Sequence, residues 1–349
     1  MVSLSLGGLE MDARIETPAD IVRKMVLGFR TTCLLYVAAE LGLADFLHDG
    51  AKDSAELATV TKTNADALHR VLRGLAQIGV FSLDEGGRFG LTPLGECLRS
   101  GVPGSQRGLV RLWGHEAFWY PWGDLLHSVR TGETAFGHIF GHTLFDHLTA
   151  ESDFVPIFNA GMAGSSIAIT DALIAAYDFG RFATIVDVGG GTGSLLTTIL
   201  RAYPQSRGVL FDLPHSRERA EESIARADLG GRCTFAGGDF FTGVTTDGDA
   251  YVLKLVLHDW DDERSVAVLE QCRRAMAPSG TLLVMEHVLP AGNEPALDAV
   301  MMDITMLILS VGRERSEAEY GRLFERSGFR LTQVIPTGSP LSIVEGVPR

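Results

Sequence analysis

The first hundred residues carry apolar side chains at helical spacing. Val22, Met25, Val26, Phe29, Cys33, Val37 and Leu41 recur every three or four positions and Gly42 follows them, which predicts one long amphipathic helix over residues 19–41. Asp53, with Glu56 three residues on, is placed to cap a short helix. Asn64 is placed to cap a longer one over residues 65–78, whose Leu68, Val71, Leu72 and Leu75 form a single stripe. Two apolar runs, 80–83 and 88–91, flank Asp84-Glu85-Gly86-Gly87, the turn chemistry of a β-hairpin, and Thr92-Pro93 then offers a cap and a first-turn proline. Helices, hairpin and helix in this order make a winged-helix pattern, and the apolar length of the first helix favours a dimer interface.

After the linker at residues 100–106 comes a helical stretch dense in aromatic rings, including Trp113, Trp119, Trp122 and Phe145. Most of these rings read as core, yet such density in a connecting region also fits the wall of a pocket for a flat aromatic ligand. From Arg181 the pattern changes. Short, nearly continuous apolar runs at 183–188, 209–211, 251–256 and 281–285 predict strands of a parallel sheet covered on both faces. A final helix opens at the capping box Ser316/Glu319, stops before Gly328, and leads into two terminal strands near 329–335 and 341–347. The expected organisation is a winged-helix-like dimerisation domain at 1–105, a helical connector at 106–178 that contributes to a substrate pocket, and an α/β domain at 179–349.

Composition narrows the partners. With 30 basic and 44 acidic side chains in 349 residues the net charge is −14, a surface that repels polyphosphate and anionic lipid. A winged helix invites a DNA-binding reading. However, residues 1–100 hold 10 Lys and Arg against 13 Asp and Glu, and the would-be recognition helix offers only His69, Arg70 and Arg73. Cys33, Cys97, Cys233 and Cys272 lie far apart without metal-ligand spacing, so neither a disulfide framework nor a zinc site is expected and a reducing cytoplasm fits best. No apolar window is long enough to span a membrane, the run at 299–311 being short and interrupted by Asp303. The opening MVSLSLGGLEMD lacks the basic and apolar regions of a secretion signal and reads as a loose tail.

The sharpest chemical signal is Asp187-Val188-Gly189-Gly190-Gly191-Thr192-Gly193, where the first strand of the α/β half turns into a helix. Glycines there permit a tight turn and close approach of backbone to ligand, with free N–H groups at the helix start. The sixth-position glycine of the dinucleotide fingerprint is missing, since Ser194 or Leu196 stands there, and no Gly-Lys-Ser/Thr follows, so neither NAD nor a triphosphate fits. The spacing D-x-G-x-G-x-G resembles that of the class I S-adenosylmethionine-dependent methyltransferases, whose ligand carries no phosphate, and by that resemblance implies S-adenosylmethionine. Asp212 ends the second strand, where an acid can accept hydrogen bonds from ribose hydroxyls, and Asp239 in Gly238-Asp239-Phe240-Phe241 can meet an adenine amino group while a phenylalanine packs on the ring. Each acid alone reads equally well as a cap or turn residue. Three acids at three successive strand ends point to a ligand site. His258, in Lys254-Leu255-Val256-Leu257-His258-Asp259-Trp260, lies at the end of the fourth strand, where an imidazole with a pKa near neutrality can take a proton. Glu286 and Glu314 are candidate acids to orient it.

In this order VDVGGGTG, FDLPH, GDFF, KLVLHDWDDE, VMEHVLP and GRERSEAE resemble the S-adenosylmethionine-dependent small-molecule O-methyltransferases of the plant caffeic-acid type and their bacterial natural-product relatives. The resemblance covers nearly the whole chain beyond residue 20. It implies the class I methyltransferase fold, a Rossmann-like sheet with a terminal antiparallel hairpin behind a dimerisation domain, and a homodimer. It also implies that Gly189, Gly191, Asp212, Asp239, Phe240 and Lys254 contact S-adenosylmethionine, with S-adenosylhomocysteine as product. On the same ground His258 is the general base flanked by Glu286 and Glu314. The acceptor pocket falls on Phe158, Asn159 and Met162 and on the segment from Met302 to Met306, with Trp119 and Asp259 nearby. Where plant members commonly carry a histidine this chain has Ser165, so phenylpropanoid specificity does not carry over. The implied reaction is transfer of the sulfonium methyl to a phenolic or related hydroxyl of an aromatic molecule, without a metal. Two rivals remain open at this stage: non-methylating chemistry on the same fold, as a hydroxylase or decarboxylase, and a winged-helix regulator that senses a metabolite.

Overall fold

The computed structural model describes residues 17–164, 166–246 and 248–349. The N-terminal MVSLSLGGLEMD and Ser165 lie outside them. The described chain forms two compact units, the first ending at Leu98 and the second spanning Arg99–Arg349.

In the first unit the expected single helix is two, Pro18–Leu27 and Phe29–Glu40. Gly28 keeps helical angles, φ −57° and ψ −33°, but its N–H reaches Met25 and its carbonyl serves Thr31, so the ladder tightens to three-residue bonds at the joint. The first of these helices buries nothing; its Val22, Met25 and Val26 stand 58–74% exposed. Asp53 caps Ser54–Thr61 through a reciprocal capping box with Glu56, and Asn64 caps Ala65–Gln77, whose Leu68, Leu72 and Leu75 are buried. β1 (Phe81–Leu83) and β2 (Phe89–Leu91) pair antiparallel, and Thr92 caps the short helix Pro93–Glu96.

The second unit is built on β3 (Thr184–Val188), β4 (Arg207–Asp212), β5 (Cys233–Gly237), β6 (Ala250–Lys254) and β7 (Thr281–Glu286). It also holds the two-residue strands β8 (Val288–Leu289) and β9 (Arg315–Ser316), then β10 (Phe329–Pro336) and β11 (Ser342–Pro348). Seven of these form one mixed sheet in the order β10-β11-β7-β6-β3-β4-β5, the last five parallel and the final hairpin antiparallel. Alternation along the central strands divides them between two cores. Ile185, Leu210, Val252 and Leu283 pack on Leu196, Ile199 and Leu200, while Val186, Phe211, Leu253 and Val284 pack on Val268, Leu269 and Phe324. The chain order reverses between β3 and β6, and the crevice at their carboxyl ends is where an open α/β sheet takes its ligand. A separate helical core joins Leu112, Phe118, Phe136 and Phe154 to Ile308 and Leu309 of helix Leu297–Leu309, so much of the aromatic density between 113 and 158 is core. Among the described residues no helix is long and apolar enough to cross a membrane.

The one charged group buried in β11 is fully engaged. Glu345 accepts from the Tyr177 hydroxyl at 2.5 Å, Arg181 at 2.8 Å and Thr332 at 2.7 Å. Burial alone would raise its carboxyl, but these donors hold it below the ordinary range. Its stabilisation is therefore present above the unfolded value and lost as pH falls through the folded one. Tyr177→Phe should cost about 1.5–3 kcal/mol at neutral pH in a denaturation experiment, and the gap to the parent should narrow as the pH is lowered into the acid range.

Candidate active site

The loop after β3 turns on glycines held in the left-handed region, which glycine adopts without strain. Gly189, Gly191 and Gly193 have φ of +71°, +58° and +77°. A Cβ at Gly189 would come within 3.0 Å of Val256 Cγ2 and 3.6 Å of Phe240, whereas one at Gly191 would meet nothing within 4 Å. The loop thus packs on one side and faces open space on the other. Gly191 N–H donates to Asp212 Oδ2 at 2.8 Å, and Asp212 Oδ1 accepts from Leu213 N–H and the Ser216 hydroxyl. Asp239 is exposed, and its Oδ1 receives the Phe241 N–H.

Asp187 is buried with its Oδ2 unbonded, and burial pushes its carboxyl up to about 7 against the pull of Lys254. Lys254, half-buried at the end of β6, is itself lowered by burial, with Asp187 and Glu286 opposing. Asp187, Asp212 and Asp239 therefore place carboxylates next to the glycine turn, the first of them buried. Carboxylate acceptors of this kind fit a nucleoside that donates from hydroxyls and an amino group.

The histidine is presented by a local break in β6. Leu255 takes φ +53°, unusual for a leucine, and the next two amides, Val256 and Leu257, both donate to Glu286 Oε1 at 3.0 and 2.9 Å. The chain then closes a 3₁₀ turn, Leu257–Asp259. His258 in that turn is buried; its Nδ1 lies 2.8 Å from Glu314 Oε1 and 3.7 Å from Glu286 Oε2, and its Nε2 lies 3.8 Å from Asp259 Oδ1. Burial alone would favour the neutral ring, but Glu286, Asp259 and Glu314 prevail and push His258 up to about 10. Burial likewise raises Glu286 to about 7 and Asp259 to about 6, each opposed by the His258 charge. The sequence alone suggests an ordinary, near-neutral imidazole; enclosure by three carboxylates moves it away from that value.

Several residues that build this site lie inside the recognised motifs, which assign them no role. Arg315, fully buried, donates to the carbonyls of Leu257 at 3.0 Å and Trp260 at 2.8 Å and to Asp262 at 2.9 Å, clamping the histidine turn from outside. A Cβ at Gly312 would fall 1.8 Å from the His258 carbonyl, so backbone packs directly on backbone there. Trp260 stacks on Phe145 (5.4 Å, 8° between planes) and meets Phe241 edge-on at 4.9 Å, joining the Asp239 loop to the connector helix Leu144–Ala150. The Asp303 carboxylate receives the Glu314 N–H at 2.9 Å, which ties helix Leu297–Leu309 to the residue that orients His258.

On that helix Met302 is half-buried and Met306 buried, the Met306 sulfur 3.6 Å from the Ser310 hydroxyl. Phe158, on helix Phe154–Gly164, packs at the edge of the helical core beside Phe118 and Phe154. Asn159 is half-buried and Met162 exposed on the same helix, and Trp119 is half-buried on Glu116–Gly123.

Family models match in the order of the two units: an O-methyltransferase dimerisation domain over residues 24–101 and an O-methyltransferase domain over residues 122–330. The chain belongs to the O-methyltransferase family. It is an S-adenosylmethionine-dependent methyltransferase. It is 47% identical over 330 residues to the phenazine O-methyltransferase PhzM of Lysobacter antibioticus, covering 95% of this chain and 96% of the relative. The solved structure of LaPhzM superposes with a TM-score of 0.92 at 46% identity, covering 96% of this chain and all of that one. NcsB1, an O-methyltransferase of neocarzinostatin biosynthesis solved with S-adenosylmethionine and 2-hydroxy-5-methyl naphthoic acid, matches with a TM-score of 0.78 at 33% identity, covering 91% of this chain and 96% of that one. Neither non-methylating chemistry nor a regulator finds support in these relatives.

Arg315→Met leaves the Leu257 and Trp260 carbonyls without their donor. The turn that carries His258 should then shift, lowering kcat by up to about 100-fold while calorimetry still detects cofactor binding at the glycine loop. An unchanged kcat would show that the turn holds its shape without the clamp.

Proposed function

We propose that this enzyme transfers a methyl group to a phenolic or related hydroxyl of an aromatic natural product, with His258 as the general base. The observation that carries this reading is the buried His258–Glu314 pair at the end of β6, one strand from the glycine turn. The relatives named for phenazine and naphthoate chemistry support a fused-ring acceptor. Phe158, Asn159, Met162, Met302, Met306, Trp119 and Asp259 are our proposed acceptor contacts, and residues 106–178 the connector that supplies part of the pocket. Gly189, Gly191, Asp212, Asp239, Phe240 and Lys254 would hold the cofactor.

When bound, S-adenosylmethionine supplies the electrophilic methyl group and a positive charge. Glu314 holds one ring nitrogen of His258 and leaves Nε2 to accept the hydroxyl proton. Glu286 pins the backbone on which the ring stands. At neutral pH in the free enzyme His258 carries its proton, and it gives that proton up more readily beside a second positive charge. Orientation of the acceptor contributes up to about 7–11 kcal/mol and the base a further factor of about 10² to 10⁴. We also infer a cytoplasmic homodimer formed through the first unit, whose element order is that of a winged helix. The dimerisation-domain match, the uncovered Val22, Met25, Val26 and Phe29, and four unpaired cysteines support it.

His258→Ala should lower kcat by about 10² to 10⁴ with cofactor binding retained; a loss below tenfold rejects the base. kcat/KM should rise with pH, with a midpoint above that of an ordinary histidine. Glu314→Gln removes a carboxylate that favours the charged ring, so its midpoint should move to lower pH while the plateau falls. An unmoved midpoint would contradict the pairing. Incubation with labelled S-adenosylmethionine and a panel of hydroxylated phenazines, naphthoates and benzoates, read by mass spectrometry, tests the acceptor class. Methylation of amines alone would overturn the hydroxyl assignment.

A further inference from the structure

We propose that Asp124, His127 and His138, with Glu133, form a binding site for one Zn²⁺ ion in the helical part of the second unit, built from residues the methyl-transfer site does not use. Asp124 sits at the cap position of helix Leu125–Thr131, yet its side chain makes no cap bond; its Oδ2 instead lies 2.7 Å from His138 Nδ1, on helix Ala135–Phe140. His127 stacks on His138 with ring centroids 3.8 Å apart and planes within 6°. Its Nε2 is shielded from solvent and makes no hydrogen bond, and the Glu133 carboxylate stands 3.7 Å away. One ligand-type atom from each of Asp124, His127 and His138 lies within 4.8 Å of the others.

Two physical arguments turn this cluster into a site. His127 keeps a solvent-shielded Nε2 without a hydrogen bond beside the His138 ring, and an imidazole nitrogen so placed is a ready metal ligand. Donor atoms bound to one zinc at about 2.0–2.2 Å stand about 3–4 Å apart, close to the spacing already present; because in-plane lone pairs of parallel rings do not converge, zinc uptake turns the two imidazoles out of their stack. Two imidazoles with two carboxylates select zinc among abundant divalent ions, while magnesium and calcium prefer all-oxygen sets. The site is held by a short turn in which Gly132 takes φ +78° and Thr134 caps the second helix. Bound ion would staple two helices of 7 and 6 residues that are too short to be stable alone.

The full-length enzyme, stripped with a chelator, is titrated with ZnCl₂ and separately with MgCl₂ by calorimetry. One Zn²⁺ per chain and no Mg²⁺ uptake are expected, together with a rise in Tm and, with Co²⁺, the visible bands of a four-coordinate nitrogen and oxygen site. His138→Ala, at an exposed position, and His127→Gln should each weaken Zn²⁺ by at least about 100-fold, more than loss of an outer-shell partner costs. Methyl transfer without added metal should stay within about twofold of the parent. His258→Ala should bind zinc as the parent does. The proposal is overturned if no zinc binds, if both histidine variants bind it as tightly as the parent, or if only His258→Ala loses it, which would put the ion on His258, Glu286 and Glu314.

Discussion

A buried imidazole held among buried carboxylates is the constraint on which the catalytic half of this protein depends. Charges inside a protein are costly unless each finds a partner, and here the partners are arranged in a fixed sequence. Glu286, at the end of β7, spends one oxygen on the amides of Val256 and Leu257; Glu314, beside β9, takes the ring of His258; Arg315, the next residue, returns two hydrogen bonds to the carbonyls of the same turn. Removing any one of them leaves another group inside the fold without its counterpart.

This arrangement couples the elements around it. β8 and β9 pair over only two residues each, yet that ladder brings Glu314 and Arg315 to the end of β6. Asp303 fastens the Glu314 backbone to the helix that carries Met302 and Met306, so the ring that is to accept a proton and the side chains proposed to meet the acceptor share one support. Trp260 makes the corresponding link on the other side, reaching Phe241 of the Asp239 loop and Phe145 of the connector in the same ring.

Electrostatics follows from the same packing. Asp212 and Asp239, with the carboxylates around His258, gather acidic side chains at the carboxyl ends of the sheet, where burial holds Asp187 and Glu286 well above the ordinary carboxylate range and Lys254 and His258 stand among them.

Much of this was legible along the chain. Apolar runs gave the parallel strands because a strand covered on both faces has no polar alternate, capping residues at Asp53, Asn64 and Ser316 marked helix starts, and the glycines that adopt positive φ could be read directly as a tight turn. Acids at strand ends and the histidine after β6 were visible because open sheets gather ligands there. Local pattern did not reveal the break at Gly28, since glycine there keeps helical angles and only its hydrogen bonds change. It also gave no role to Arg315, Gly312 or Trp260, although they lie within the recognised motifs, and no sign of the Asp124, His127 and His138 cluster. Arg315, Gly312 and Trp260 act through partners tens to more than a hundred positions away or through a missing side chain, while the Asp124, His127 and His138 cluster is close in sequence but is brought together only by the turn between its two helices. The residue types and strand ends came from sequence; the protonation of His258, the clamp behind it and the company each charge keeps were decided only when the sheet and its helices closed around them.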